Sequence, residues 1–272
     1  MPVIDCHVHL NYYSNIQKRK RISSLKDRLT ELLQTMSNNN IDYSIILTSY
    51  KIDIKRPSTS DIIDILKNKE HKLGIVAGFT IDNHNDEYFR KCKEWLKDGL
   101  IKGIKLYCGY EYYYPYDKRY QKIYDVCIEY KVPVMIHTGD TFSTTSKVRF
   151  AHPLNIDDVA VDNPELTVIM CHIGNPWLLD CQEILYKNKN VYADISGLVT
   201  GNFTLYDQRY YTYKIKELLS YLKMPHRLLY GSDWPISNIE SYIKFVDKLK
   251  LTKQSRELLL FKNSSNIFRL QL

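Results

Sequence analysis

The chain has 272 residues, 44% of them hydrophobic and 25% charged, with a formal net charge of +7. This is too long for a minimal domain and ordinary for one large soluble α/β domain, here residues 1–272 with no linker or composition break. No run of 18 apolar residues exists, which excludes a membrane-spanning helix, and the scattered basic residues form neither the long stripe nor the module that nucleic-acid binding requires.

Within Met1 to Leu10, Val3, Ile4 and Val8 mark a first short strand that carries Asp5-Cys-His-Val-His9. Side chains two apart share a strand face, so His7 and His9 project together and Asp5 is expected on the same face. Lys18-Arg19-Lys20-Arg21, the densest basic run, reads as a solvated loop. Leu25, Leu29, Leu32, Leu33 and Met36 recur at helical spacing up to Asn38-Asn-Asn40. Tyr43 to Leu47 is a second strand, and Ile62, Ile63, Ile65 and Leu66 mark a second helix. Leu73 to Phe79 is the third strand, followed by a stripe from Tyr88 to Leu96 that Gly99 stops.

Ile101 to Tyr107 is the fourth strand, and residues 109–116 form a Tyr-rich loop. Tyr120 to Ile128 gives a helix, and Val132 to Ile136 a fifth strand ending on His137-Thr-Gly-Asp140. A polar loop at 141–153 precedes a short helix from Asn155 to Asp162. Leu166 to Cys171 is the sixth strand, ending on His172, and a helix carries Leu178 to Leu185. Val191 to Ile195 is the seventh strand, and a loop at about 198–210 leads to the helix carrying Ile215 and Leu222. Arg227 to Tyr230 is the eighth strand, ending on Gly-Ser-Asp233-Trp-Pro235, and two helical segments close the chain.

Eight strands separated by helical stripes imply parallel βαβ units, hence a TIM barrel. A doubly wound open sheet is the alternative, but no G-x-G-x-x-G phosphate turn follows an early strand. In a TIM barrel the active site lies at the C-terminal strand ends. Those ends carry His7, His9, Lys105, His137, His172 and Asp233, whereas His71, His84, His152 and His226 fall on helices or loops. Imidazole and carboxylate suit Zn²⁺, and also Mn²⁺ or Fe²⁺. The six cysteines form no C-x-x-C pair, and Cys6 and Cys171 lie in apolar strands beside histidines, which suits a reducing compartment. With no signal-peptide pattern ahead of the first strand, a cytoplasmic protein is expected.

The motifs Asp5-Cys-His-Val-His9, Gly103-Ile-Lys-Leu-Tyr107, Ile136-His-Thr-Gly139, Cys171-His-Ile-Gly-Asn-Pro-Trp177 and Tyr230-Gly-Ser-Asp-Trp-Pro235 resemble those of the amidohydrolase superfamily. Within it they resemble the amidohydrolase-related branch, which includes aminocarboxymuconate-semialdehyde decarboxylase, and the fold this implies is a distorted (β/α)₈ TIM barrel of the metal-dependent hydrolase type. The resemblance implies one divalent metal per chain, Zn²⁺ before Mn²⁺ or Fe²⁺, held by His7, His9, His137 and Asp233. It implies that His172 polarises substrate or relays a proton. In two-metal members Lys105 would be carboxylated, and with His172 would bind a second ion. In one-metal members Lys105 would face an anionic part of the substrate.

The expected reaction is hydrolysis of an amide, ester or lactone in a small carboxylate-bearing substrate. Asp233 would take the water's proton and deliver it to the leaving group, and His172 would stabilise the oxyanion. The alternative is non-oxidative decarboxylation of an aromatic or unsaturated acid. The expected pocket wall comprises Tyr107 and the loop to 116, Asp140, the 141–153 loop with His152, and Trp177. A small molecule is the expected partner, without nucleic acid or membrane. Superfamily membership is compatible with a homodimer.

Overall fold

The computed structural model describes residues 1–17, 21–67, 72–83, 85–223 and 225–271. The basic run at 18–20 and the histidines at 71 and 84 lie outside the described residues. Eight parallel strands follow one another in space as in sequence: β1 (Ile4–Val8), β2 (Tyr43–Leu47), β3 (Leu73–Phe79), β4 (Ile104–Leu106), β5 (Val134–Ile136), β6 (Val168–Met170), β7 (Val191–Asp194) and β8 (Leu228–Leu229). The circuit closes where the Cys6 N–H donates to the Tyr230 carbonyl at 2.9 Å and Val8 bridges Trp234. The result is the (β/α)₈ barrel that the strand spacing implies.

Alternation sorts the strand residues into two layers. Ile4, Cys6, Ile45, Val76, Met135 and Ile169 pack together inside the barrel, joined by Phe268 from the last helix. Val8, Ile46, Ile104, Ile136, Met170 and Leu228 face the surrounding helices. Among the helices, Leu25–Asn38, Thr59–Leu66 and Leu205–Leu222 each begin with a capping box, formed by Ser24 with Asp27, Ser58 with Asp61 and Thr204 with Asp207. Each cap satisfies otherwise orphaned N–H groups and is worth about 1 kcal/mol. Thr204 explains why the last of these helices starts at Leu205, inside the expected loop. Its first turns expose Leu205, Tyr206 and Tyr210, so no apolar stripe announces them.

β1 departs from simple alternation. Asp5 pairs with Ser44 and Val8 with Ile46, so a bulge places one extra residue in β1. Ile4 and Cys6 face inward before the bulge, and Val8 faces outward after it. His7 and His9 therefore point into the mouth as expected, whereas Asp5 does not share their face. Its Oδ1 instead accepts the backbone N–H groups of His7 (3.2 Å) and Ser232 (3.0 Å). All six cysteines are buried and free. Among the described residues, no helix is long and apolar enough to cross a membrane.

Candidate metal centre

The strand ends deliver their polar residues to one pocket at the C-terminal mouth. His7, His9, Lys105, Tyr107, His137, Asp140, His172 and Asp233 all line it. The rings form a continuous group, with centroids 5.2 Å apart for His7 and His9, 4.9 Å for His7 and His172, and 5.1 Å for His137 and His172. Asp233 reaches this group because its backbone bends to φ +65°, with its N–H donating to the His7 carbonyl at 2.8 Å. Two glycines make room: a Cβ on Gly231 would meet His7 Cβ at 2.9 Å, and one on Gly197 would meet His172 Nδ1 at 2.5 Å.

The tautomers follow from what each Nδ1 touches. His9 Nδ1 lies 2.8 Å from the Leu47 carbonyl, which can only accept, so His9 donates from Nδ1. His7 Nδ1 lies 2.9 Å from Asp194 Oδ2 and likewise donates. In their neutral forms the rings then present bare Nε2 atoms to Asp233 Oδ1, at 3.7 Å from His7 and 3.3 Å from His9. That oxygen is buried and has no hydrogen-bond partner. Three acceptors meeting at one point require a positive charge between them, either a proton or a cation. The donor atoms of His7, His9 and Asp233 all lie within 4.8 Å of one another, which fits a divalent ion.

Burial lowers His7 to about 4, against the pull of Asp194. Burial also holds His137 well below, and His172 below, the usual imidazole range. Burial would raise the Asp233 carboxyl, but the neighbouring His9, His7 and His172 outweigh it and bring it below the usual carboxylate range. The site thus offers neutral imidazoles and a charged carboxylate, the ionisation states a metal needs.

His137 lines the pocket but is not among the three converging donors; its Nε2 donates to the Asp140 carbonyl at 3.0 Å, leaving Nδ1 bare. His172 Nδ1 faces the Ser196 carbonyl at 3.2 Å, so Nε2 is its bare nitrogen. In this tautomer neutral His172 keeps its lone pair on Nε2. Lys105 is buried and its Nζ donates to Cys171 Sγ. The Tyr107 hydroxyl donates to the Thr48 carbonyl, so its ring is what the pocket sees. Trp177 and His152 are not in the wall: they pack on each other, 4.7 Å between centroids, and neither lines the pocket. The helix at Leu178–Lys187 begins directly after Trp177, its N-cap residue.

Strand order missed other members. Asp194 ends β7 as a lone carboxylate in an otherwise apolar run, and that was its one available signal. Tyr13, Tyr50, Arg56 and Asn175 come from loops and also line the pocket. Tyr50 stacks on Tyr110 at 4.9 Å, and Tyr13 meets Phe142 edge-on at 6.0 Å.

A parallel barrel with imidazoles and a carboxylate gathered over its C-terminal mouth is built as a TIM-barrel enzyme site. The chain belongs to the amidohydrolase family, whose model, described as Amidohydrolase, matches residues 4–270. No curated protein sequence matches the chain. Among solved structures, an uncharacterised TIM-barrel protein from Bordetella bronchiseptica is similar at 19% identity and TM-score 0.78, over 99% of each chain. A probable 2-pyrone-4,6-dicarboxylic acid hydrolase from Acinetobacter baumannii is similar at 16% identity and TM-score 0.67, over 99% of this chain and 100% of that one. A 5-carboxyvanillate decarboxylase from Novosphingobium aromaticivorans, complexed with manganese and 4-hydroxy-3-methoxy-5-nitrobenzoic acid, is similar at 12% identity and TM-score 0.72, over 99% and 96%. At these identities the likeness is one of fold.

Proposed function

We propose that this chain is a metal-dependent hydrolase acting on an amide, ester or lactone bond of a small carboxylate-bearing substrate. The observation that carries the reading is the convergence of His7 Nε2, His9 Nε2 and the unpartnered Asp233 Oδ1. These three residues would hold one divalent ion, with the bare Nδ1 of His137 as a further donor. The donor set suits Zn²⁺, and Mn²⁺ or Fe²⁺ also fit. When bound, such an ion supplies Lewis acidity and a more acidic water. A second ion would enlist Lys105, whose Nζ is instead directed at Cys171, and this favours one ion.

The chain's own groups divide the remaining work. Asp233 would accept the proton of the attacking water on Oδ2, the oxygen not aimed at the ion, and return it to the leaving group. His172 Nε2 stands ready to accept and relay a proton. Arg56 and Lys105 supply cations in the wall for a substrate carboxylate.

A second reading, decarboxylation of an aromatic acid, is favoured by the rings of Tyr13, Tyr50, Tyr107, Tyr110 and Phe142 around the same pocket. One experiment separates the two. The metal-loaded protein is incubated in ¹⁸O-water with lactones, amides, esters and aromatic acids. Solvent oxygen in the product supports hydrolysis; CO₂ release without it supports decarboxylation and refutes the first reading.

A further inference from the structure

Asp194 is fully buried on β7, and four donors converge on it. Its Oδ2 accepts His7 Nδ1–H at 2.9 Å. Its Oδ1 accepts the His172 N–H at 3.0 Å, the Ser196 N–H at 3.0 Å and the Ser196 hydroxyl at 2.5 Å. His172 and Ile173 both stand in the left-handed region, at φ +62° and +44°, so the bond to the His172 N–H anchors a strained turn.

We infer that Asp194 is a positioning residue that sets the tautomer of His7, keeping the proton on Nδ1 so that Nε2 stays free to bind a metal, while pinning the turn that carries His172. The inference rests on the proposed metal site only for its consequence; the tautomer itself is a property of the metal-free protein. The two oxygens are not equivalent. Three donors face Oδ1 and one faces Oδ2, so in Asp194→Asn the amide oxygen best replaces Oδ1 and the NH₂ group turns to His7. Two N–H groups cannot face each other there. His7 must release its Nδ1 proton and carry it on Nε2, where it blocks the lone pair aimed at the ion. The Ser196 hydroxyl, 3.0 Å from His7 Nδ1, offers a competing contact. Ser196→Ala removes it and leaves Oδ2 in place.

The test is long-range ¹H–¹⁵N NMR of the histidine rings in the metal-free protein at pH 8, paired with calorimetric titration of Mn²⁺ alone. Wild type and Ser196→Ala should show His7 protonated on Nδ1. Asp194→Asn should show it on Nε2, with Mn²⁺ affinity lowered about 10- to 100-fold or more. An Nδ1 proton retained in Asp194→Asn with affinity unchanged overturns the inference. So does an Nε2 proton in the wild type, a result that stands even if Asp194→Asn fails to fold. Wild type that binds no Mn²⁺ and no Zn²⁺ sinks the metal site instead, and the NMR result still decides the role of Asp194.

Discussion

Gly197→Ala probes the site by backbone strain and by volume. Gly197 sits at φ +64° in the pocket wall, where a Cβ would meet His172 Nδ1 at 2.5 Å, His172 Cε1 at 3.0 Å and Asp233 Oδ2 at 3.1 Å. Placing alanine in the left-handed region costs about 1–2 kcal/mol. Forcing a methyl against buried groups costs about 1–3 kcal/mol more. The sum is roughly 2–5 kcal/mol, which lowers the unfolding midpoint by roughly 4–9 °C in a chain of this size. Circular dichroism melts in the presence of a chelator read the change. Because the intruding methyl displaces His172 and Asp233, metal should also stabilise the variant less than the wild type. A midpoint within about one degree of wild type, with metal stabilisation unchanged, would refute the packing described around Gly197.

Asp233→Asn keeps the backbone, since asparagine tolerates φ +65°. It should preserve the fold and substrate binding while turnover falls roughly 10²- to 10⁴-fold; turnover near wild type would remove Asp233 as proton carrier. Glu111 tests buried charge away from the site. Its Oε1 accepts the Asp82 N–H at 3.0 Å and its Oε2 the Tyr120 hydroxyl at 2.9 Å, and burial raises its pKa from 4.5 to about 7. A raised carboxyl favours folding when protonated, so its contribution is full below pH 4.5 and is lost as pH rises to 7, by about 3 kcal/mol. The stability of Glu111→Gln relative to wild type should therefore rise by that amount between pH 4.5 and pH 8 in denaturant titrations, and a flat difference would contradict it. Ile169→Ala inside the barrel should cost about 2–5 kcal/mol, read from urea midpoints; a cost below 1 kcal/mol would place Ile169 outside a packed interior.

The barrel was legible because each strand is a short apolar run ending in a polar residue, and the helices between them carry regular stripes. His7, His9, His137, His172 and Asp233 were legible for the same reason, since strand ends in this fold share one rim. The bulge in β1 was not, because Ile4 to Leu10 alternates without a break and nothing local marks the extra residue. Asp5 was consequently put on the wrong face. Trp177 closes the Cys171–Trp177 motif in sequence, but its ring packs on His152 outside the pocket, a tertiary contact that no local pattern announces. Arg56, Tyr13 and Asn175 reach the pocket from loops, whose paths depend on tertiary contacts rather than on periodicity.

The central claim is that His7, His9 and Asp233 converge to hold a divalent ion. The direct measurement is metal content per chain, by plasma mass spectrometry, of protein purified with neither chelator nor added metal, alongside His9→Ala. The account predicts about one equivalent of a transition metal in the wild type and a large loss in the variant. No metal in the wild type, and no uptake after incubation with Zn²⁺ or Mn²⁺, would contradict it.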